Sequence, residues 1–221
     1  MDETLSQRLA ADLDGSFETL VREHQDRLYG LALRYVGSAS DAEELAQDAF
    51  VRAYRALERY EPQRIRDLDL RPWLTTILLN ACRNHLARPA RRAAAATVVV
   101  DETVVIAGDA GLGPEAHVER REAAERWSRL VGSLPPLYRA AVLLRHLDGM
   151  SYDEMTAVLG RPQGTLKAQV HRGVALLRAA FEAEERARST PAQAAGPAPA
   201  PADRAGPSDL VSSTIASMEA V

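Results

Sequence analysis

The sequence has one cysteine, no long apolar run and no motif typical of metal binding or catalysis. Cys82 stands alone among 221 residues, which excludes an internal disulfide and a zinc site made of several cysteines. The five histidines lack metal-ligand spacing, and there is no phosphate loop, no HExxH and no Ser/His/Asp set that spacing supports. We therefore expect no catalytic residue, no metal, no cofactor and no enzymatic activity.

Membrane and export signals are also missing from the sequence. No apolar stretch approaches the roughly 20 residues that span a bilayer. The first residues, MDETLSQRLA, are acidic and lack the apolar core of a signal peptide. We expect a cytoplasmic protein without membrane insertion.

Aromatic residues are scarce, at 5%, whereas apolar residues make up an ordinary 46%. Together with abundant alanine, this composition favours closely packed small helical domains over β architecture. The sequence predicts an all-α fold of two small helical domains joined by a flexible linker, the second being a helix-turn-helix domain. The predicted segments are an N-terminal arm (1–15), a helical domain (16–92), the linker (93–113), the helix-turn-helix domain (114–182) and a Pro/Ala-rich disordered tail (183–221).

Two details within these segments stay open on sequence alone. The β-prone stretch VVVDETVVI in the linker could form a short strand, although a strand without a partner is only marginally stable. At the end of the tail, Leu210, Val211, Ile215 and Met218 share a helical face. This pattern indicates either a small docking helix or a chance stripe.

The net charge of −4 and the pI near 5.8 do not by themselves indicate a nucleic-acid binder. The charge is segregated into blocks, however, and local patches decide binding. Basic residues are almost all arginine, with Lys167 the only lysine, so their abundance is weak evidence for phosphate contacts. Where the basic residues lie is more informative than how many there are.

The stretch SYDEMTAVLGRPQGTLKAQVHRGVALL predicts two short helices separated by a turn. Ser151 and Glu154 form a capping box that begins the first helix. Gly160 can adopt the left-handed conformation that ends it, and Pro162 suits the first turn of the next helix. No acidic residue occurs from 161 to 181, so the second helix is basic and suited to a DNA major groove.

Two helices of the first domain carry charge in different ways. In DAEELAQDAFVRAYRALERY the outer face is acidic first and basic later. The helix dipole explains this grading, and on sequence alone we favour that explanation over a binding surface. After the polar loop EPQRIRDLDLRP, a helix beginning at Pro72 carries Trp73 and ends in basic and amide residues, without an acid. Such a surface suits unpaired bases and phosphates, although Trp73 could also be a core residue.

The order of these blocks resembles the sigma-70 family of bacterial RNA polymerase subunits, in the two-domain group of extracytoplasmic-function (ECF) sigma factors. The resemblance rests on DAEELAQDAFVRAYRAL, RPWLTTILLNACRNHLARPARR and LPPLYRAAVLLRHLDGMSYDEMTAVLGRPQGTLKAQVHRGVALL, and it covers about residues 16–182. It implies a sigma factor that binds core RNA polymerase and directs promoter-specific transcription initiation. The segment 16–92 would then be a region 2-like domain and 114–182 a region 4-like domain.

The resemblance also implies roles for individual residues. The helix matching 41–57 docks on the polymerase β′ clamp in this family, so candidate polymerase contacts are Asp41, Glu44, Gln47, Asp48, Arg52 and Arg55. The helix matching 73–92 recognises and opens the −10 promoter element, through Trp73, Asn80, Arg83, Asn84, Arg88, Arg91 and Arg92. The helix-turn-helix reads the −35 element as duplex DNA, through Thr165, Lys167, Ala168, His171 and Arg172. A contact with the β flap, and regulation by an anti-sigma factor or by the tail, are further implications.

The sequence departs from the family pattern at two places, and other functions compete with this one. Ala168 and Gln169 replace what is often Ser-Arg, which puts one phosphate contact in doubt. Gly173 inside the last helix costs about 1 kcal/mol relative to alanine, for no reason visible in the sequence.

The main alternative is a stand-alone helix-turn-helix repressor or activator that binds duplex DNA as a dimer, which would not need either charged helix of the first domain. The carboxylate-free recognition helix argues against a pure interaction module.

Overall fold

The computed structural model is all-α, as composition and helical periodicity predict. It describes the backbone of residues 4–87, 114–189 and 207–219, and these residues form helices and turns without a strand. The predicted linker, including VVVDETVVI, lies outside the described residues. No helix in the described ranges is long and apolar enough to cross a bilayer.

The first domain is a bundle of five helices within residues 4–87: α1 (Leu5–Ala11), α2 (Leu13–Val36), α3 (Ala39–Leu57), α4 (Pro62–Arg66) and α5 (Leu70–Ala87). Helices α2, α3 and α5 pack against one another, and α1 packs on α2 and α4. The inner face of α3 carries the fully buried alanines Ala42, Ala49 and Ala53. Because the distance between helix axes depends on the side chains at the contact, these small residues bring α3 close to its neighbours.

Helix starts in the first domain follow local capping signals. Thr4 and Gln7 form a capping box at the start of α1, and the Asp12 carboxylate accepts a hydrogen bond from the Gly15 N–H at 3.0 Å at the start of α2. Residues 5–15, predicted as an arm, are therefore largely helical, and Leu9 is buried. Gly37, in the left-handed conformation with φ 77°, ends α2 as its sequence position predicts.

The second domain contains α6 (Pro114–Ser133), α7 (Pro136–Val142), a π-helical segment (Leu143–Leu147), α8 (Tyr152–Leu159) and α9 (Gln163–Ser189). The capping box of Ser151 and Glu154 is present, and Gly160 ends α8 with φ 65°, which confirms both sequence signals. Helical spacing from Ala140 and Leu144 places Leu147 on the inner face, but Leu147 is 42% exposed. Leu143 and Leu144 stay buried, whereas the wider turn of the π-helical segment leaves Leu147 at its end off the buried face.

The recognition helix, α9, continues into the segment that the sequence predicts as a disordered tail. Helix α9 extends to Ser189, so the prediction of disorder is wrong for residues 183–189. The buried Arg126 guanidinium of α6 explains the extension, because it pairs with Glu184 at 2.8 Å and with Glu185 at 2.5 Å. It also lies 4.3 Å from the Phe181 ring centroid.

The apolar stripe near the end of the chain belongs to a docked helix, α10 (Pro207–Glu219). Val211, Ile215 and Met218 are buried, at 2%, 3% and 6% exposure, and α10 packs on α6 and α9. Of the two interpretations of this stripe, the docking helix is therefore the one that the structure supports.

The two domains pack against each other. Helix α5 contacts α8, and α2 contacts both α6 and the π-helical segment. Within this interface the Arg139 guanidinium donates to the backbone carbonyl of Tyr35 at 2.7 Å. The first helix of the helix-turn-helix thus lies on the helix that the sequence associates with the −10 element.

Candidate nucleic-acid interface

The recognition helix separates a buried face from an exposed one. Leu166, Val170, Val174 and Leu177 are buried, at 0–5% exposure. The residues expected to contact the −35 element are all exposed: Thr165, Lys167, Ala168, His171 and Arg172. The structure therefore places these five side chains on the solvent face of one helix, over two turns at its N-terminal half.

Contacts from the turn and from α8 hold the recognition helix in place. Arg161 donates to the side-chain oxygen of Gln169 at 3.1 Å, and Gln163 donates to the Asp153 carboxylate. Gln169 is 8% exposed, so the position points into the domain and not toward DNA. Sequence reasoning missed this role because an amide on a basic helix carries no signal of burial.

The capping box also fixes the charge at the start of α8. Hydrogen bonds from the backbone N–H and the side chain of Ser151 lower the pKa of Glu154, and the nearby Arg71 and Arg27 lower it further. The Glu154 carboxylate is therefore ionised at neutral pH.

The first domain presents an aromatic and basic surface at the start of α5. Trp73 is partly buried and its ring lies 6.2 Å from that of Tyr60. The Arg64 guanidinium stacks 3.7 Å from the Tyr60 centroid. Sequence reasoning missed Tyr60 and Arg64, although an aromatic residue and an arginine flanking Pro62 were the available signal.

The remaining residues expected at the −10 element extend along α5. Asn80 and Asn84 are exposed, and Arg83 donates to the Asn80 side-chain oxygen at 3.3 Å. These amides lie on the helix that carries Trp73, as the sequence predicts. Arg88, Arg91 and Arg92 lie outside the described residues.

The charged face of α3 contains residues of two kinds. Glu44, Gln47, Arg52 and Arg55 are exposed, and Arg52 pairs with Asp48 one turn earlier at 2.7 Å. Asp41 instead lies 3.2 Å from the imidazole Nε2 of His85, whose side chain is 6% exposed. Asp41 therefore has a contact within the bundle in addition to its position on the candidate polymerase surface.

A further charged cluster joins the two domains, and no sequence pattern predicts it. Arg27 donates to both carboxylate oxygens of Asp148, at 3.0 and 2.9 Å. Arg71 lies 3.8 Å from the same carboxylate and 3.7 Å from that of Glu154, and it also donates to the Asp148 backbone carbonyl. We call these four residues the interdomain charge cluster. Among the described residues, no group of His, Cys, Asp and Glu is arranged to hold a metal ion.

Comparisons with known proteins agree with this architecture. The sigma-70 region 2 model matches residues 20–92, and the sigma-70 region 4 model matches residues 124–177. The RNA polymerase sigma-H factor of Pseudomonas aeruginosa is 31% identical over 175 residues, covering 77% of this chain and 89% of that protein. The ECF RNA polymerase sigma factor SigE of Mycolicibacterium smegmatis is 36% identical over 163 residues, covering 74% of this chain and 60% of that protein.

A solved structure shares the fold. The sigma factor RpoE of Bartonella quintana, in complex with the anti-sigma factor NepR, has a TM-score of 0.54 and 22% identity, covering 75% of this chain and 96% of that chain. The matches to sigma-70 regions 2 and 4 together define a transcription initiation factor. The chain belongs to the extracytoplasmic-function group of the sigma-70 family. As such it binds core RNA polymerase and promoter DNA and directs promoter-specific transcription initiation, and a stand-alone repressor or activator is not favoured.

Proposed function

We propose that the two domains divide promoter reading between them: α9 reads the −35 element as duplex DNA, and α5 with the segment 60–71 reads and opens the −10 element. The observation that carries this proposal is the exposure of all five predicted −35 residues on one face of α9. A buried opposite face holds that helix rigidly, so its side chains can reach base edges in a major groove.

The −10 assignment is supported by the chemistry at the start of α5. An unpaired base can stack on rings or on guanidinium planes, and Tyr60, Trp73 and Arg64 supply both. Asn80 and Asn84 offer amides that can hydrogen-bond the edges of such bases. Phosphate contacts then fall to the arginines, including Arg83 and the three beyond residue 87.

Polymerase contact is assigned to the charged face of α3, with Asp41, Glu44, Gln47, Asp48, Arg52 and Arg55 facing the β′ clamp. The exposure of most of these side chains supports the assignment. The second domain is assigned to the β flap. We place the polymerase and −10 functions within residues 16–92 and the −35 function within residues 114–182.

The protein acts, in this proposal, as a binding subunit without catalysis of its own, in the cytoplasm where polymerase works. An anti-sigma factor is its proposed regulatory partner. The support is that a relative of the same fold, RpoE of Bartonella quintana, was solved with the anti-sigma factor NepR.

The −35 assignment can be tested with Lys167→Ala/Arg172→Ala in holoenzyme. We expect transcription from a cognate promoter to fall at least tenfold, since each base or phosphate contact contributes on the order of 1–3 kcal/mol. Copurification with core polymerase should not change. Arg188→Ala, an exposed arginine near the end of the same helix, is the matched control and should transcribe normally.

Two results would contradict the proposal. A parallel loss of core binding in Lys167→Ala/Arg172→Ala would mean that this helix serves polymerase and not DNA. Failure of the wild-type protein to copurify with core polymerase would remove the basis of every assignment above.

A further inference from the structure

The interdomain charge cluster places an anion of one domain inside a cationic site of the other. Arg27 of α2 and Arg71 of α5 converge on the carboxylate of Asp148, which precedes α8 and is 3% exposed. Glu154 adds a second carboxylate 3.7 Å from Arg71. Both cations belong to the first domain, and both anions belong to the second.

The first domain builds this cationic site without help from the second. Arg27 donates to the Thr75 hydroxyl at 3.0 Å and to the Arg71 carbonyl at 3.3 Å, so α5 itself positions the guanidinium. The first turn of α5, which contains Arg71, has no acidic residue. The site therefore lies at the start of the helix that also carries the residues assigned to unpaired promoter bases.

Two guanidinium groups that bind one carboxylate also suit a phosphate. Both anions present paired oxygens to planar N–H donors, and arginine binds both in the same manner. The Asp148 carboxylate thus stands in for a phosphodiester oxygen. In the described part of the chain, the Nε of Arg27 has no hydrogen-bond partner, so the carboxylate does not use every donor at the site.

The packed arrangement of the domains cannot read both promoter elements at once. The −10 and −35 elements lie about 25 base pairs apart by their names, which is roughly 85 Å at 3.4 Å per base pair. In the structure, α5 is in contact with α8, the first helix of the helix-turn-helix. Promoter binding must therefore separate the domains, and separation removes both carboxylates from Arg27 and Arg71.

We propose that Arg27 and Arg71 form a phosphate-binding site of the first domain, which Asp148 and Glu154 occupy in the closed molecule and a promoter phosphate occupies after opening. The two carboxylates compete with DNA for the same arginines. This inference rests on the proposed −10 role of the first domain, and it adds Arg27 and Arg71 to the residues that contact promoter DNA.

The test compares four full-length proteins: wild type, Asp148→Asn/Glu154→Gln, Arg27→Gln/Arg71→Gln and the combined quadruple variant. Glutamine at 154 retains the capping box, since Gln is accepted at that position. The probe is a fluorescent duplex with a six-nucleotide unpaired segment, titrated without polymerase at several KCl concentrations. Thermal unfolding of each protein checks that it is folded.

We expect the carboxylate variant to bind the probe about tenfold more tightly than wild type. Its plot of log affinity against log salt should be steeper by about 0.7–0.9, because one added phosphate contact contributes that much to the slope. The quadruple variant should lose both the gain in affinity and the added slope. Arg22→Gln on α2, whose arginine pairs with Glu18 on the surface, is the control for general charge loss.

Two outcomes would overturn the proposal. If the quadruple variant keeps the affinity and slope of the carboxylate variant, the arginines only hold the domains together. The same conclusion follows if Arg27→Gln/Arg71→Gln alone tightens DNA binding as much as the carboxylate changes do. Transcription by wild-type holoenzyme is measured separately, so failure of the sigma function is distinguishable from failure of the phosphate site.

Discussion

Gly173 lies in the middle of α9, where a glycine costs about 1 kcal/mol relative to alanine. The structure supplies the reason that the sequence lacked. A Cβ at this position would lie 2.5 Å from a methyl carbon of Val142 and 3.4 Å from the Cβ and carbonyl oxygen of Tyr138. Helix α7 therefore approaches α9 so closely that only glycine fits between them.

Replacement of this glycine should destabilise the second domain despite the better helix propensity of alanine. We expect Gly173→Ala to lower the free energy of unfolding by about 1–2 kcal/mol, because Val142 is buried and overpacking costs roughly 1–3 kcal/mol. Gly132→Ala is the matched control, since a Cβ there meets nothing within 4 Å. Urea unfolding measures both, and equal stabilisation by the two alanines would contradict the explanation.

Other single residues also have roles that only their surroundings reveal. Cys82 is fully buried, and burial raises the pKa of its thiol to about 12, so at neutral pH it behaves as a small apolar core residue. His85 lies against Asp41 beneath the charged face of α3. Sequence patterns placed both on the correct helix but could not assign their neighbours.

Among the elements, α10 shows most clearly how local pattern and tertiary contact combine. Its apolar residues at i, i+4 and i+7 indicate an amphipathic helix, but a short isolated helix is marginal in water. Burial against α6 and α9 provides the missing stability. The sequence shows the apolar stripe but does not indicate that it packs against α6 and α9.

Detachment of α10 is the expected result of a charge on its buried face. Ile215→Asp should lower the stability of the second domain by about 2 kcal/mol, because a fully buried isoleucine contributes on that order and a carboxylate cannot replace it. Ser212→Asp, at an exposed position of the same helix, should have little effect. Thermal unfolding and limited proteolysis near residue 207 compare the two variants, and identical behaviour would show that α10 does not depend on this contact.

The helix-turn-helix was the element that the sequence predicted best. Its capping box, its left-handed glycine and its exposed basic face are all local properties, and each appears where expected. The first domain was predicted less completely, since α1 lay in the supposed arm and Tyr60, the ring neighbour of Trp73, lies between α3 and α4. Neither region has a periodic pattern long enough to identify.

At the scale of the whole molecule, two histidines lie at or near the contact between the domains. Burial lowers the pKa of His24, and the adjacent Arg27 and Arg71 lower it further, while Glu23 and Asp148 act in the opposite direction. Burial also lowers the pKa of His146, assisted by Arg145. Both imidazoles are therefore neutral in the folded protein at pH 7.

These shifts predict a loss of stability on mild acidification. A histidine whose pKa is lowered from 6.5 by folding binds a proton more readily in the unfolded chain. Its contribution is therefore fully present above pH 6.5 and is lost as the pH falls through the lowered folded value. The free energy of unfolding should decrease between pH 7 and 5, before carboxylates with ordinary or lowered pKa values titrate.

Urea unfolding at several pH values tests this prediction. His24→Gln/His146→Gln should flatten the pH dependence between pH 7 and 5, whereas His171→Gln, at an exposed position, should leave it unchanged. A dependence that persists in the double variant would locate the sensitivity elsewhere.

The sequence by itself determined the local structure and the class of the protein. Capping boxes, terminal glycines and apolar periodicity act within a few residues of chain, and the order of three blocks identified the sigma-70 resemblance. Only the tertiary structure decided that Arg27 meets Asp148, 121 residues away, and that Arg71 meets it across 77 residues. The sequence does not predict which charged residues on separate helices will pair, because the pairing depends on how two complete domains pack.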